Sequence, residues 1–129
     1  MNQHRSLRIL AVAAIAFGAL TVISGGRALF GGDEARASLG NIVDFVLWFN
    51  FLAGFVYVLT GAGLWLNRAW SQWTASALAI ATACVAAAFA LHVMGGGAYE
   101  MRTAGALALR LGFWVVVTTL AVRLFRRTR

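Results

Sequence analysis

The sequence predicts an all-α fold, an integral membrane four-helix bundle. Three observations carry this reading. Hydrophobic residues make up 61% of the chain and mean hydropathy is +0.80, whereas soluble domains are only about half apolar. Four apolar stretches each approach or exceed the roughly 20 residues that cross a bilayer as a helix. The charged residues collect between those stretches. At 129 residues the chain is sized for one transmembrane domain, 1–129.

The first span runs from Leu7 to Ser24 (LRILAVAAIAFGALTVIS) and is expected to end at Gly25-Gly26. His4, Arg5 and Arg8 followed by an apolar run also fit a signal peptide. No small-x-small cleavage site follows directly, and Ala35-Arg36-Ala37 is late and charged, so an uncleaved first helix is expected. The second span covers Ile42 to Leu66, the third Thr74 to Met94, and the fourth Thr103 to Leu124. Asn67 to Trp73 and Gly95 to Glu100 are short enough for tight hairpins; only Gly25 to Asn41 is long enough to fold over one face. Proline is absent, so glycine must supply the turns.

An even number of spans puts both ends on one side, and the arginines select which. All eleven basic residues are arginine, as expected of a GC-rich bacterial coding sequence. With the amino terminus inside, the cytoplasmic segments hold Arg5, Arg8, Arg68, Arg123, Arg126, Arg127 and Arg129. The outer side holds Arg27, Arg36 and Arg102, offset by Asp33, Glu34 and Glu100. The positive-inside rule then gives N-in, C-in. Trp65, Trp70 and Trp73 bracket the inner turn, where amphipathic indoles favour the interface. The basic tail suits anionic lipid. Nucleic acid is excluded as a partner because the arginines flank apolar segments and form no single patch.

Lipid tails give helices no hydrophobic reason to associate, so close packing depends on small residues. Gly54 and Gly61 are seven apart, as are Gly105 and Gly112, a spacing that keeps each pair on one helix face. Ala75, Ala79, Ala83 and Ala87 form another smooth face, and Tyr57 shares the Gly54 side. A faint internal echo is also present. Ala19-Leu20-x-Val22-x-x-Gly25-Gly26 resembles Ala90-Leu91-x-Val93-x-x-Gly96-Gly97, and Gly54-Phe55-x-x-Val58-x-Thr60 resembles Gly112-Phe113-x-x-Val116-x-Thr118. A duplication would give two parallel αα-hairpins related by an axis along the membrane normal.

Ionisable groups at membrane depth are costly and point to function or to pairing. The candidates gather toward the outer end: Asp44, Asn50, His92, Glu100, Arg102 and Arg110. Arg110 lies about 12 Å below Arg102 along a helix and is expected to pair with Asp44 or Glu100. The cluster reads as salt bridges fixing helix register, as an outward-facing pocket for a small ligand or quinone head group, or as a contact surface for a membrane partner. A bis-histidine haem needs two embedded histidines, and only His92 qualifies; a dimer, Met94 or Met101 would have to complete it. A proton-shuttling His92 bonded to Glu100 or Asp44 is the simpler expectation. No catalytic residue and no metal site is assigned. Gly95-Gly96-Gly97 lacks the context of a phosphate loop, and Cys84 stands alone without a CxxC motif.

The order of these features resembles the DoxX-like superfamily of four-helix bacterial membrane proteins. The resemblance covers roughly residues 8 to 90. It rests on the Arg8-initiated helix ending in Gly25-Gly26-Arg27-Ala28-Leu29-Phe30-Gly31 and on Phe51-Leu52-Ala53-Gly54-Phe55 leading through Gly61-Ala62-Gly63-Leu64-Trp65-Leu66. It implies a four-helix bundle and an accessory role in thiol or sulfur redox metabolism. The string from His92 to Arg110 has no counterpart in that pattern, and no catalytic residue transfers. Two functions are therefore expected, in this order. The first is a small inner-membrane accessory or structural subunit, with a redox complex, another larger membrane complex or a second copy as partner. The second is a quinone- or small-ligand-binding membrane protein using the outer polar residues.

Overall fold

Without proline, nothing in the apolar stretches removes a backbone donor or blocks the preceding turn, and each folds as one unbroken helix. The computed structural model describes residues 3–37, 40 and 43–126. The expected start of the second span at Ile42, the loop residue Asn41, and Arg127 and Arg129 of the tail lie outside the described residues. The helices are α1 (Gln3–Phe30), α2 (Asp33–Ala37), α3 (Asp44–Trp65), α4 (Trp70–Met94) and α5 (Met101–Arg126). Four of them, all but the short α2, are long and apolar enough to cross a membrane. Leu20, Ile23, Leu52, Leu59, Ile80, Leu91 and Leu109 are exposed on their outer surfaces, an apolar exterior suited to lipid contact.

Two boundaries differ from expectation for physical reasons. α1 does not stop at Gly25-Gly26 but continues to Phe30. In hydrocarbon a broken helix would leave backbone groups unsatisfied, and Gly25 serves instead as a contact point, where an added Cβ would lie 3.1 Å from Phe51 Cβ. α4 begins at Trp70, ahead of Thr74, so the turn between α3 and α4 shrinks to Leu66–Ala69.

Both short turns close in the same way. After α3, Asn67 adopts φ 59°, its N–H donates to Leu64 O, and the Arg68 N–H donates to Gly63 O at 2.8 Å. After α4, Gly96 adopts φ +84°, its N–H donates to Val93 O, and the Gly97 N–H reaches His92 O at 2.9 Å. This is the Schellman closure, in which a left-handed residue just past the helix lets two terminal carbonyls find donors. Glycine fills that position in one turn and asparagine in the other.

The helices alternate in direction. α1 and α3 form the tightest pair, with Gly18 against Gly54 and Gly61 against Ala11 and Ile15. An added Cβ on Gly18 would lie 2.8 Å from Gly54 O, so the two backbones are nearly in contact. α3 meets α4 through Thr60, whose hydroxyl donates to Thr74 Oγ1 at 2.8 Å, and Thr74 in turn donates to Ser71 O. α1 and α5 stay farther apart and are bridged by large side chains, Phe17 meeting Phe113 at 5.0 Å between ring centroids. The main core gathers Leu7, Ala11, Ala14, Tyr57, Leu64, Trp114 and Val117. A second cluster of Val43, Val46, Phe89 and Leu107 packs the end that carries the longer loop.

Because Thr60 is fully buried, its hydroxyl has no competing water. Thr60→Val is expected to cost about 0.6 kcal/mol, the usual worth of such a bond between membrane helices, measured as a shift in unfolding of the detergent-solubilised protein.

Candidate functional site

Asp44, His92, Glu100 and Arg102 lie where helices begin or end, whereas Asn50 and Arg110 lie further along α3 and α5. Asp44 is the first residue of α3 and is exposed; a carboxylate there interacts favourably with the helix dipole. Asn50, two turns further in, shares a pocket of about 200 Å³ with Glu100 and Arg102. Val43, Val46 and Leu47 of the α3 side and Thr103 and Ala106 of α5 complete its walls. Asp44, Glu100 and Arg102 are all engaged by neighbours. Gly40, at φ +76°, brings the long loop so close to the Glu100 carboxylate that a side chain at that position would strike it.

His92 is held apart from these residues. Its Nε2 lies 2.9 Å from Ala98 O, and its ring folds over Gly97, where an added Cβ would collide with it. The ring edge also meets Phe45 at 6.2 Å. The expected bond from His92 to Glu100 or Asp44 is replaced by this local one, because the glycine turn returns the chain directly over the imidazole. Met94 and Met101 are largely exposed. Among the described residues no three His, Cys, Asp or Glu side chains converge to hold a metal ion.

Arg110 also departs from its expected pairing. Its Nη1 donates to Thr21 Oγ1 at 2.9 Å and to Tyr57 OH at 3.5 Å. Its Cζ lies 5.0 Å from the centre of the Phe17 ring and 6.0 Å from that of Tyr57. Asp44 and Glu100 sit at helix starts, well above this level, whereas the hydroxyls and aromatic faces of α1 and α3 stand at the arginine's own depth. Nε is buried without a partner. Phe17 and Thr21 thus belong to the surroundings of Arg110, with Trp114 behind them on the Tyr57 ring, and all three were absent from the residues selected by sequence. Trp114 follows Arg110 by one helical turn, and Thr21 is a hydroxyl inside an otherwise apolar run; both were available as signals.

The energetics of this arginine nearly cancel. A charged side chain at the centre of a membrane helix costs roughly 2.5–3.5 kcal/mol. Two hydrogen bonds of about 0.6 kcal/mol each, the usual worth between membrane helices, and a desolvated cation–π contact of about 2 kcal/mol return about the same amount. Arg110→Met is therefore expected to unfold within about 1 kcal/mol of the parent in detergent, a near-neutral change for so polar a residue.

Gly105 and Gly112 contrast with Gly54 and Gly61. Both are exposed, with no atom within 4 Å of an added Cβ. The inward face of α5 is taken by Leu107, Trp114, Val117 and Ala121, all buried. Ala83, Cys84 and Ala87 of α4 are exposed as well. Comparison with protein-family models, with curated proteins and with solved structures finds no match to this chain.

Proposed function

We propose that the chain is a small accessory or structural subunit of a bacterial inner membrane, joined to its partner through α5 and the neighbouring face of α4. The observation that supports this most is the different use of its two glycine pairs. Gly54 and Gly61 are covered by α1, while Gly105 and Gly112 stand open on the outer surface. Lipid gains little from a glycine, but a second helix can approach closely there. The DoxX-like resemblance suggests a redox complex as the partner. Orientation follows the arginine bias, with both termini cytoplasmic, and the exposed Trp65, Trp70 and Trp73 at that end suit a membrane interface.

Native purification in mild detergent with mass spectrometry of bound subunits tests this reading. A larger membrane protein should copurify, and Gly112→Leu should release it while leaving the subunit folded. A monomer without partners would contradict it.

A second reading, a small-ligand or quinone-binding membrane protein, is favoured by the amphipathic pocket at the long-loop end. Organic extraction of the purified protein should then recover a bound small molecule.

A further inference from the structure

Arginines and acids occupy opposite ends of the bundle. Because the long helices alternate in direction, the start of α1, the α3–α4 turn and the end of α5 lie together. Arg5, Arg8, Arg68, Arg123 and Arg126 are all exposed at that end. The four acidic residues, Asp33, Glu34, Asp44 and Glu100, stand at the other. Among the described residues no carboxylate side chain is therefore placed to pair with these five guanidiniums.

Arg8 is distinguished from the rest by a fixed position. Its Cζ lies 4.8 Å from the centre of the Trp65 ring, beside the contact of α1 with α3 that seats Leu7 and Leu64 in the main core. Stacking uses the flat face of a guanidinium, whereas its five N–H groups radiate in the plane. The stack thus orients the donors without consuming them. Trp65 is 45% exposed, so the pair stands on the surface. A held fork of donors matches a phosphate, two N–H groups to two oxygens.

What lies beneath the arginine is apolar. Arg5, Arg8 and Val12 follow one another on one face of α1 at spacings of three and four. Val12 and Ala16 are both exposed, about 6 Å and 12 Å deeper than Arg8 along the helix. A phosphate site above an exposed apolar helix face fits a phospholipid better than a soluble phosphate ester or an acidic protein segment. The head group is selected as well, because a choline or ethanolamine ammonium would meet arginines and no acid. We infer that this face of α1, with Trp65 of α3, seats one net-anionic phospholipid. Its phosphate sits on the Arg8 fork and an acyl chain runs along Val12 and Ala16. The contact needs no part of the exposed α5 face.

Native mass spectrometry of the detergent-solubilised full chain, titrated with dioleoylphosphatidylglycerol or dioleoylphosphatidylcholine, tests this assignment. One phosphatidylglycerol is expected to bind about tenfold more tightly than phosphatidylcholine. Arg8→Gln should weaken phosphatidylglycerol about fivefold. Trp65→Leu, which keeps every arginine but removes the stack, should weaken it about threefold. Arg126→Gln, at the same end, should weaken it less than Arg8→Gln does. Equal losses in the two arginine variants, with Trp65→Leu unchanged, would overturn the site in favour of a diffuse basic surface. Equal affinity for the two lipids would overturn the charge selection. Saturation by sn-glycerol 3-phosphate at the same concentration as phosphatidylglycerol would overturn a lipid as the occupant. So would an acidic protein retained by the parent, in place of lipid, and lost in Arg8→Gln.

Discussion

Gly54→Val is expected to lower stability by about 2–3 kcal/mol, in the upper part of the range for overpacking a well-fitted contact. An added Cβ at Gly54 would lie 2.8 Å from Val22 Cγ2 and 3.2 Å from both Gly18 O and Thr21 Cγ2. The valine methyl groups can rotate, but the Gly18 carbonyl belongs to the backbone of α1 and moves only if the helix moves. Separating α1 from α3 would also draw Thr21 away from Arg110. Gly112→Val is the internal control, because nothing lies within 4 Å of a Cβ there. It should change unfolding of the isolated subunit by no more than about 0.5 kcal/mol. Reversible unfolding of both variants in mixed detergent checks the pair, and equal destabilisation would remove the basis for assigning the two glycine pairs different roles.

Trp114→Ala is expected to cost about 2–3 kcal/mol. Trp114 is fully buried, with its ring 4.7 Å from that of Tyr57 and 5.1 Å from that of Phe113. In a soluble protein such a truncation loses about 3–5 kcal/mol through transfer and cavity terms together. Here lipid solvates an apolar ring nearly as well as the core does, so most of the transfer term disappears and the packing loss remains. Trp114→Phe should cost about 1 kcal/mol, because the indole Nε1 is buried without a partner and no hydrogen bond is lost. Chemical unfolding followed by circular dichroism distinguishes the two. A loss as large for phenylalanine as for alanine would mean that the indole nitrogen has a structural partner.

These two residues also mark what could be read in advance. The four spans follow from hydropathy, and the left-handed glycine of the turn between α4 and α5 from the Gly95-Gly96-Gly97 cluster. Gly54 and Gly61 act as close-approach positions as their spacing suggests. The same spacing at Gly105 and Gly112 leads outward because the helices are apolar on every side, and a helix without a polar face does not announce which side turns inward. The inward side of α5 is set by Trp114, packed on Tyr57 of α3, and by Leu107, packed with Val43, Val46 and Phe89. Gly25 looked like a terminator because glycine ends helices in water; in a bilayer the backbone has no other partner and the helix continues.

The candidate site was legible to a similar depth. Asn50, Glu100 and Arg102 share one pocket, and their proximity follows from lying near the same ends of α3 and α5. Arg110 kept its depth but not its expected partner. Sequence separation along α5 fixes how far in it lies, whereas its neighbours come from α1 and α3, whose rotation the sequence does not encode. His92 was captured by its own turn, a local outcome that the unusual three-glycine run makes intelligible only once its closure is seen.

The central claim is that the chain crosses the bilayer four times and opens its polar pocket on the outer face. Single-cysteine reporters at Ala69→Cys and Ala98→Cys, in a Cys84→Ser background, test it most directly with a membrane-impermeant maleimide. Both positions are exposed in turns at opposite ends of the bundle. Labelling is expected at residue 98 in intact cells and at residue 69 only after permeabilisation. Labelling of both from outside would contradict the four-span topology, and the reverse pattern would contradict the orientation and place the pocket on the cytoplasmic side.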